Sequence, residues 1–192
     1  GAFGSSFGIS ETIVKAIPLL LCGLGVAIAY KIAIWNIGAE GQFVLGAIGA
    51  TAITIYFPNL PGLLYIPIMM VMGIAAGAVW GLCTAIPRTY FKVNELITSL
   101  MLNYVALLLL DYVVYGPWRD PQGFNFPGTP LFTPFQVLSN IGGTRLHIGL
   151  AFALITVILF AFLLAKTRWG YELKLLGSNP IAAQNAGIKI NK

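Results

Sequence analysis

The chain has 192 residues, of which 58% are hydrophobic and only 9% are charged, and its mean hydropathy is +0.85. This composition excludes a soluble globular protein, because too few polar side chains remain to cover its surface, and it indicates a polytopic membrane protein. The formal net charge of +5 comes from Lys and Arg residues scattered at the ends of apolar runs. Since they form no basic face, we expect membrane lipid and no nucleic acid as a partner.

Five apolar stretches are long enough to cross a bilayer, which takes about 20 helical residues. In chain order they are residues 16–35, 36–57, 62–86, 96–115 and 148–165. The sequence therefore predicts an all-α fold, a polytopic helical membrane bundle with about five spans. We assign residues 1–192 to a single transmembrane domain, and we expect it to be an incomplete fragment of a longer chain.

The second stretch is interrupted by polar residues and glycines. Its uninterrupted part, 43–57, is too short to span a membrane alone unless 36–42, Asn-Ile-Gly-Ala-Glu-Gly-Gln, also lies at membrane depth. We therefore predict a broken or re-entrant helix, whose irregular backbone is tolerated only against protein or a water-filled cavity. A carboxylate at the centre of a span costs about 2.5–3.5 kcal/mol, so Glu40 is expected to face protein, water or a solute.

Small residues recur along two of the stretches. Gly73, Gly77 and Gly81 follow one another at four-residue intervals and therefore line one face of a helix. Such a face allows the backbone of another helix to approach closely. The small residues Gly46, Gly49 and Ala50 are expected to do the same in the second stretch.

The basic residues predict the orientation of the spans. Alternation of the five stretches places eight of them on one side: Lys31, Arg88, Lys92, Lys166, Arg168, Lys174, Lys189 and Lys192. The other side holds Lys15, Arg119 and Arg145. Because Lys and Arg are enriched in cytoplasmic loops, the first side is predicted to be cytoplasmic. The proline-rich loop 116–146 is then outside as an ordered extended cap, either a plain connector or a docking surface for an extracytoplasmic partner.

The fourth stretch carries polar residues on one face. Glu95, Ser99 and Asn103 are spaced four residues apart, so they drift only slowly around a helix. Their hydrogen-bonding groups suit a hydrophilic path for a polar solute. The candidates for lining or supporting this path are Asn36, Glu40, Gln42, Glu95, Ser99 and Asn103. Alternatively such residues join helices, at about 0.6 kcal/mol each, and Glu40 accepts bonds from free N–H groups at the helix start.

Other reactive side chains are few. Asp111 is expected to be a capping or interface residue, and His147 a solvated residue at the membrane interface. Cys22 and Cys83 lie within apolar runs, where we expect small buried hydrophobes. One His, two apolar Cys and dispersed acids assemble no metal site and no nucleophile with its base, so we predict neither and disfavour a membrane-embedded enzyme.

The segment after the fifth stretch contains helix signals. Asn179 followed by Pro180 is typical of an N-cap and first turn, Ala182 and Ala183 favour helix, and Gly187 favours a C-terminal stop. The sequence thus predicts about two turns of helix outside the bilayer. Because isolated helices of this length are marginal in water, it must rest on the rest of the protein or on a cytoplasmic partner.

Three sequence motifs follow one another along the chain. They are Asn36-Ile-Gly-Ala-Glu-Gly-Gln-Phe-Val-Leu-Gly46, Asn94-Glu-Leu-Ile-Thr-Ser-Leu-Met-Leu-Asn-Tyr104 and Gly177-Ser-Asn-Pro-Ile-Ala-Ala-Gln-Asn-Ala-Gly-Ile188. Together they closely resemble the permease subunits of ABC importers in the branched-chain amino acid, ribose and nucleoside group. The first motif is most similar to the nucleoside and simple-sugar branch. The resemblance covers nearly the whole chain, and it implies further spans beyond these five.

The resemblance also implies partners. A second permease copy or homologue would complete the path, an extracytoplasmic solute-binding lipoprotein would deliver solute, and a separate ABC ATPase would bind the short cytoplasmic helix. The coupling residues implied are Gly177, Asn179, Pro180, Ala182, Ala183 and Gly187. The chain has no Gly-x-x-x-x-Gly-Lys-Ser/Thr loop, so ATP and Mg are expected on the partner ATPase, with no cofactor and no enzymatic activity in this chain.

The expected function is translocation of a nucleoside or similar polar solute across a bacterial-type cytoplasmic membrane, as the permease of an ABC importer. One alternative is an ABC permease for a simple sugar or a branched-chain amino acid. Another is an ion-coupled secondary transporter, which also uses broken helices and intramembrane carboxylates but needs no ATPase.

Overall fold

The computed structural model describes residues 4–124, 126–141 and 143–188. Within these ranges the chain is helical or irregular, with one isolated antiparallel bridge between Asn140 and His147, and the all-α prediction is confirmed. The helices are α1 (Ser6–Lys31), α2 (Ala39–Tyr56), α3 (Gly62–Phe91), α4 (Glu95–Tyr115), α5 (Gly149–Lys166), α6 (Arg168–Ser178) and α7 (Pro180–Asn185). A short 3₁₀ helix, Pro134–Gln136, lies between α4 and α5.

Four of these helices, α1, α3, α4 and α5, are long and apolar enough to cross a membrane. The remaining predicted span, α2, has 18 residues and is therefore about 27 Å long, close to the thickness of the hydrocarbon core. Its first turn carries Glu40 and Gln42, which lower its apolar character. The chain is a multi-pass membrane protein. Among the described residues four helices qualify as spans, and α2, a continuous helix with a polar first turn, is not one of them.

Several boundaries differ from the prediction. α1 begins at Ser6 instead of 16, because the Ser5 side chain caps it by accepting the Gly8 N–H at 3.0 Å. α3 continues through Pro87 and ends where Lys92 adopts a left-handed conformation with φ 54°. The predicted irregular segment 36–42 is shorter in the structure, since α2 already begins at Ala39.

The described residues form two compact units. The first unit consists of the described residues of Gly1–Asn36 and Leu138–Lys192 and contains α1, α5, α6 and α7. Near the start of α1, Glu11 pairs with Arg145 at 3.2 Å. At the other end of α1, the carbonyl of Lys31 contacts Gly177 of α6. These two contacts place Arg145 and Lys31 at opposite ends of α1, as the alternation of spans predicts.

The second unit, Ile37–Val137, contains α2, α3, α4 and the 3₁₀ helix. Its α2 and α3 pack through glycines. A Cβ atom built on Gly46 would lie 3.2 Å from the carbonyl oxygen of Gly73, and one built on Gly73 would lie 3.2 Å from that of Gly46. A Cβ on Gly77 would lie 3.1 Å from the carbonyl oxygen of Gln42. The close approach predicted for both glycine faces is confirmed, and each face is the partner of the other.

In the part of the outer loop that belongs to the second unit, the described residues form turns, irregular backbone and the 3₁₀ helix, so a uniformly extended cap is not observed. Trp118 is buried, and its indole N–H donates to the hydroxyl of Tyr56 at 3.2 Å. The ring of Phe135 packs on Gly62, where an added Cβ would lie 2.7 Å from ring atom Cδ1. These contacts hold the loop on the ends of α2 and α3.

Predictions for four single residues have mixed outcomes. Cys83 is exposed in this chain and Cys22 is half-buried, so burial is wrong for Cys83, which lies on a face of α3 without a covering helix among the described residues. His147 is half-buried and its Nδ1 accepts the N–H of Gly149 at 3.2 Å, so it holds the start of α5 instead of facing only solvent. Asp111 is exposed.

Candidate functional site

The start of α2 is held by a side chain from α4. The first N–H groups of any helix lack acceptors within the helix, and Gly38, the N-cap residue, has no side chain that could supply one. The N–H of Gly41 instead donates to Oδ1 of Asn103 at 2.9 Å. The Nδ2 group of Asn103 donates to the carbonyl of Ile37 at 3.0 Å. One carboxamide therefore binds the backbone on both sides of the turn that starts α2.

Gly41 leaves no room for a side chain at this point. A Cβ atom there would lie 2.8 Å from Oδ1 of Asn103 and 2.9 Å from Nε1 of Trp80. The Trp80 ring comes from α3, and its buried N–H has no hydrogen-bond acceptor in the described part of the chain. Side chains from α3 and α4 thus meet over the first turn of α2, and only glycine fits between them.

Glu40 and Gln42 flank Gly41 in this turn. Glu40 is exposed and makes no hydrogen bond or ion pair with the residues described. Its carboxylate lies at the positive end of the helix dipole, which favours it by about 0.3–1 kcal/mol. Asn103, and not Glu40, accepts the Gly41 N–H, so the structural alternative for Glu40 is not what is observed. Gln42 is half-buried, and its Nε2 lies over Gly81 of α3, 3.1 Å from where a Cβ would stand.

The polar face of α4 divides into separate environments. Glu95 pairs with Arg88 at 3.2 Å across the turn between α3 and α4. Ser99 is 2% exposed, and its hydroxyl donates to the carbonyl of Leu96 within α4 at 3.2 Å. Asn103 is 6% exposed and is the member of this face that reaches α2. Its burial makes it a support for the α2 turn in this structure.

The structure thus brings together some of the predicted path residues. Glu40, Gln42 and Asn103 meet at the start of α2, whereas Ser99 and Glu95 lie one and two turns before Asn103, nearer the start of α4. Asn36 belongs to the first unit, at the end of the segment that follows α1. Sequence reasoning missed Gly41 and Trp80. The signal available was a glycine inside the first turn of a helix, together with an indole in a helix of small residues.

The short helix predicted after the fifth apolar stretch is confirmed as α7. The Asn179 side chain caps it by accepting the N–H groups of Ile181 at 3.0 Å and Ala182 at 3.1 Å. Gly187, with φ +82°, follows its end. Ala183 is fully buried, and Ile181 is 71% exposed. The helix therefore has one face that packs within the first unit, beside α6, and an opposite face that is exposed.

Three residues of the predicted coupling set lie outside α7: Asn179 is its N-cap, Gly187 follows its end, and Gly177 lies in another helix. Gly177 belongs to α6, a helix that the sequence analysis did not predict, and it packs on the Lys31 carbonyl at the end of α1. α6 begins where the Thr167 hydroxyl accepts the N–H of Gly170 at 3.3 Å. A Thr N-cap followed by an amphipathic run was the signal for it.

Comparison with known proteins identifies the family. Residues 8–192 match the profile of a family described as branched-chain amino acid transport system / permease component. The chain belongs to this permease family. The resemblance predicted from the three motifs is therefore confirmed. No solved structure matches the chain.

Several curated members of this permease family are similar over nearly the whole chain. The glucose ABC transporter permease protein TsgB13 of Haloferax volcanii is 37% identical over 96% of this chain and 51% of its own length. The guanosine ABC transporter permease protein NupP of Bacillus subtilis is 34% identical over 100% of this chain and 56% of its own length. The nucleoside ABC transporter permease protein NupB of Lactococcus lactis subsp. cremoris is 32% identical over 100% of this chain and 55% of its own length. The chain thus spans about half the length of these permeases.

Proposed function

We propose that this chain forms part of the permease subunit of an ABC importer that moves a nucleoside or a similar polar solute across the cytoplasmic membrane. Membership of the permease family carries the proposal. Two of the relatives above are named for guanosine or nucleosides and one for glucose. These solutes share sugar hydroxyl groups, so the solute class is a sugar-bearing polar molecule, and a simple sugar is the alternative within it.

The start of α2 supports this proposal by its chemistry. A sugar-bearing solute must exchange its hydrogen bonds to water for bonds to protein, because unpaired polar groups are costly inside a membrane. The exposed carboxylate of Glu40 provides acceptors, and the amide of Gln42 provides both donors and acceptors. Asn36, Glu95 and Ser99 stay candidates for other parts of the path.

The partners in this proposal follow from the same architecture. A separate ABC ATPase, with ATP and Mg, would bind the outer face of α7, where Ile181, Gln184 and Asn185 are exposed. A second permease copy or homologue would complete the path, and an extracytoplasmic solute-binding lipoprotein would dock on the outer loop. The sequence of this chain holds no phosphate-binding loop of the ATPase type, which fits a purely transporting role.

The decisive experiment measures uptake of labelled guanosine, adenosine, glucose, ribose and leucine in cells with and without the full-length gene. We expect gene-dependent uptake of a nucleoside that stops when ATP is depleted. Uptake of glucose or ribose alone would support the simple-sugar alternative. Uptake of leucine alone would support the amino acid alternative. Uptake that survives ATP depletion and follows an ion gradient would contradict the importer.

The role of Glu40 is tested by Glu40→Gln, which keeps the shape of the side chain and removes its charge. Since Glu40 has no partner in the described chain, membrane abundance should stay normal. Transport should fall at least about tenfold if the carboxylate accepts a hydrogen bond from the solute. Glu172→Gln is the matched control, because its exposed pair with Arg168 at 2.8 Å contributes little. Normal transport by both variants would remove Glu40 from the path.

A further inference from the structure

The start of α2 lacks a cap of its own. A Ser, Thr, Asp or Asn usually occupies the N-cap position and accepts an N–H of the first turn. Here that position is Gly38, and the structure shows no side-chain cap from it. The missing acceptor comes from Asn103, 62 residues away from Gly41 along the chain.

We infer that Asn103 is a positioning residue that fixes the polar turn of α2 relative to α4, and so sets the affinity for solute without touching it. The inference rests on the proposed function, because it takes Glu40 and Gln42 as the groups that meet the solute. Both are in the turn that the Asn103 carboxamide holds. Moving this turn by an ångström would move both groups, and solute binding depends on such positions.

Both ends of the carboxamide are required for this role. Oδ1 accepts the N–H of Gly41 at 2.9 Å, and Nδ2 donates to the carbonyl of Ile37 at 3.0 Å. An Asp at this position keeps an acceptor but offers no donor to Ile37, and a Leu offers neither. Because Gly41 has no side chain, Asn103 and Trp80 both pack directly on this backbone. The packing is so close that the α2 turn cannot move to restore a hydrogen bond that a variant has lost.

The contact itself is tested by amide hydrogen exchange on the full-length permease in its assembled transporter. Asn103→Leu should speed exchange of the amides in 39–42 about tenfold, because the Gly41 N–H loses its acceptor. Asn103→Asp should leave the Gly41 amide protected. The control Thr98→Val removes a hydroxyl whose bond, 3.1 Å to the carbonyl of Asn94, stays at the start of α4. Unchanged exchange in Asn103→Leu would overturn the inference without reference to any solute.

Uptake kinetics then test the consequence for function. We expect both Asn103 variants to raise the apparent KM about tenfold, with a smaller change in maximal rate per transporter, and Thr98→Val to match the wild type. Reduced membrane abundance with a wild-type KM would overturn the inference, because it would show that Asn103 only stabilises the fold. If the wild-type transporter shows no ATP-dependent uptake of nucleoside or sugar, the proposed function fails, and the exchange experiment still decides whether Asn103 holds the turn.

Discussion

The indole N–H groups of Trp118 and Trp80 differ in whether they have a hydrogen-bond acceptor. Trp118 is 7% exposed and donates to the hydroxyl of Tyr56 at 3.2 Å, with the two rings in an edge-to-face arrangement at 6.2 Å. The N–H of Trp80 is buried without an acceptor in the part of the chain that the structure describes. A buried donor that lacks its acceptor costs free energy, whereas a satisfied one contributes modestly to stability.

This contrast predicts that a Trp→Phe substitution affects stability differently at the two positions. Trp118→Phe should destabilise the protein by about 1 kcal/mol, because it removes the donor to Tyr56. Trp80→Phe removes an unsatisfied N–H and should leave stability unchanged or slightly higher. The measurement is the thermal unfolding midpoint of the full-length permease in detergent, with the exposed Trp169→Phe as control. Equal midpoints for Trp118→Phe and the wild type would show that the loop contact contributes nothing.

Single residues also show where sequence reasoning stops. The four-residue spacing of Glu95, Ser99 and Asn103 was enough to place them on one face of a helix, because that follows from local geometry. The sequence did not predict the hydrogen-bonding partners of these residues. The bonds from Asn103 to Gly41 and Ile37 depend on how α4 packs against α2, and no local pattern encodes that packing.

At the scale of elements, α2 and α3 pack with their backbones almost touching. A Cβ on Gly49 would lie 2.6 Å from Cβ of Ala76 and 2.9 Å from the carbonyl oxygen of Met72. Backbone atoms cannot yield as a flexible side chain can. Close packing of this kind replaces the hydrophobic effect as the main force between helices in a bilayer.

Gly49→Ala should therefore force the two helices apart and destabilise the protein by about 1–3 kcal/mol, the usual cost of overpacking. Gly25→Ala on α1 is the matched control, because a Cβ there meets no atom within 4 Å. Alanine also favours helix, so the control should be neutral or slightly stabilising. Thermal unfolding midpoints compare the two, and equal midpoints would contradict the packing described here.

Elements with strong local signals were predictable, and those that depend on tertiary contacts were not. The cap and first turn of α7 followed from Asn179 and Pro180, and the glycine faces of α2 and α3 followed from their spacing. The prediction missed α6, although Thr167 is a fair N-cap. This helix rests on the end of α1 through Gly177, and that contact is invisible in the sequence.

At the scale of the whole molecule, the chain covers about half the length of the permeases it resembles. Many large apolar side chains on its helices are exposed, which in a membrane is compatible with contact to lipid or to further helices. The orientation of the spans remains a prediction from charge. Eight of eleven basic residues fall on one side when the spans alternate, and this side is expected to be cytoplasmic.

Cysteine labelling decides the orientation within the first unit. Ser139 precedes α5 and Lys174 lies in α6 beyond it, so the two residues flank a single span, and both are exposed. With the native cysteines replaced, Ser139→Cys should react with a membrane-impermeant thiol reagent in intact cells. Lys174→Cys should react only after the membrane is permeabilised.

The reverse pattern would invert the topology and place α7 outside the cell, where no cytoplasmic ATPase could bind it. Reaction of both cysteines in intact cells would mean that α5 does not cross the membrane. The expected pattern would place α7 on the cytoplasmic side and the outer loop where an extracytoplasmic protein can reach it. The proposed function requires this arrangement, because it assigns a solute-binding protein to one side of the membrane and an ATPase to the other.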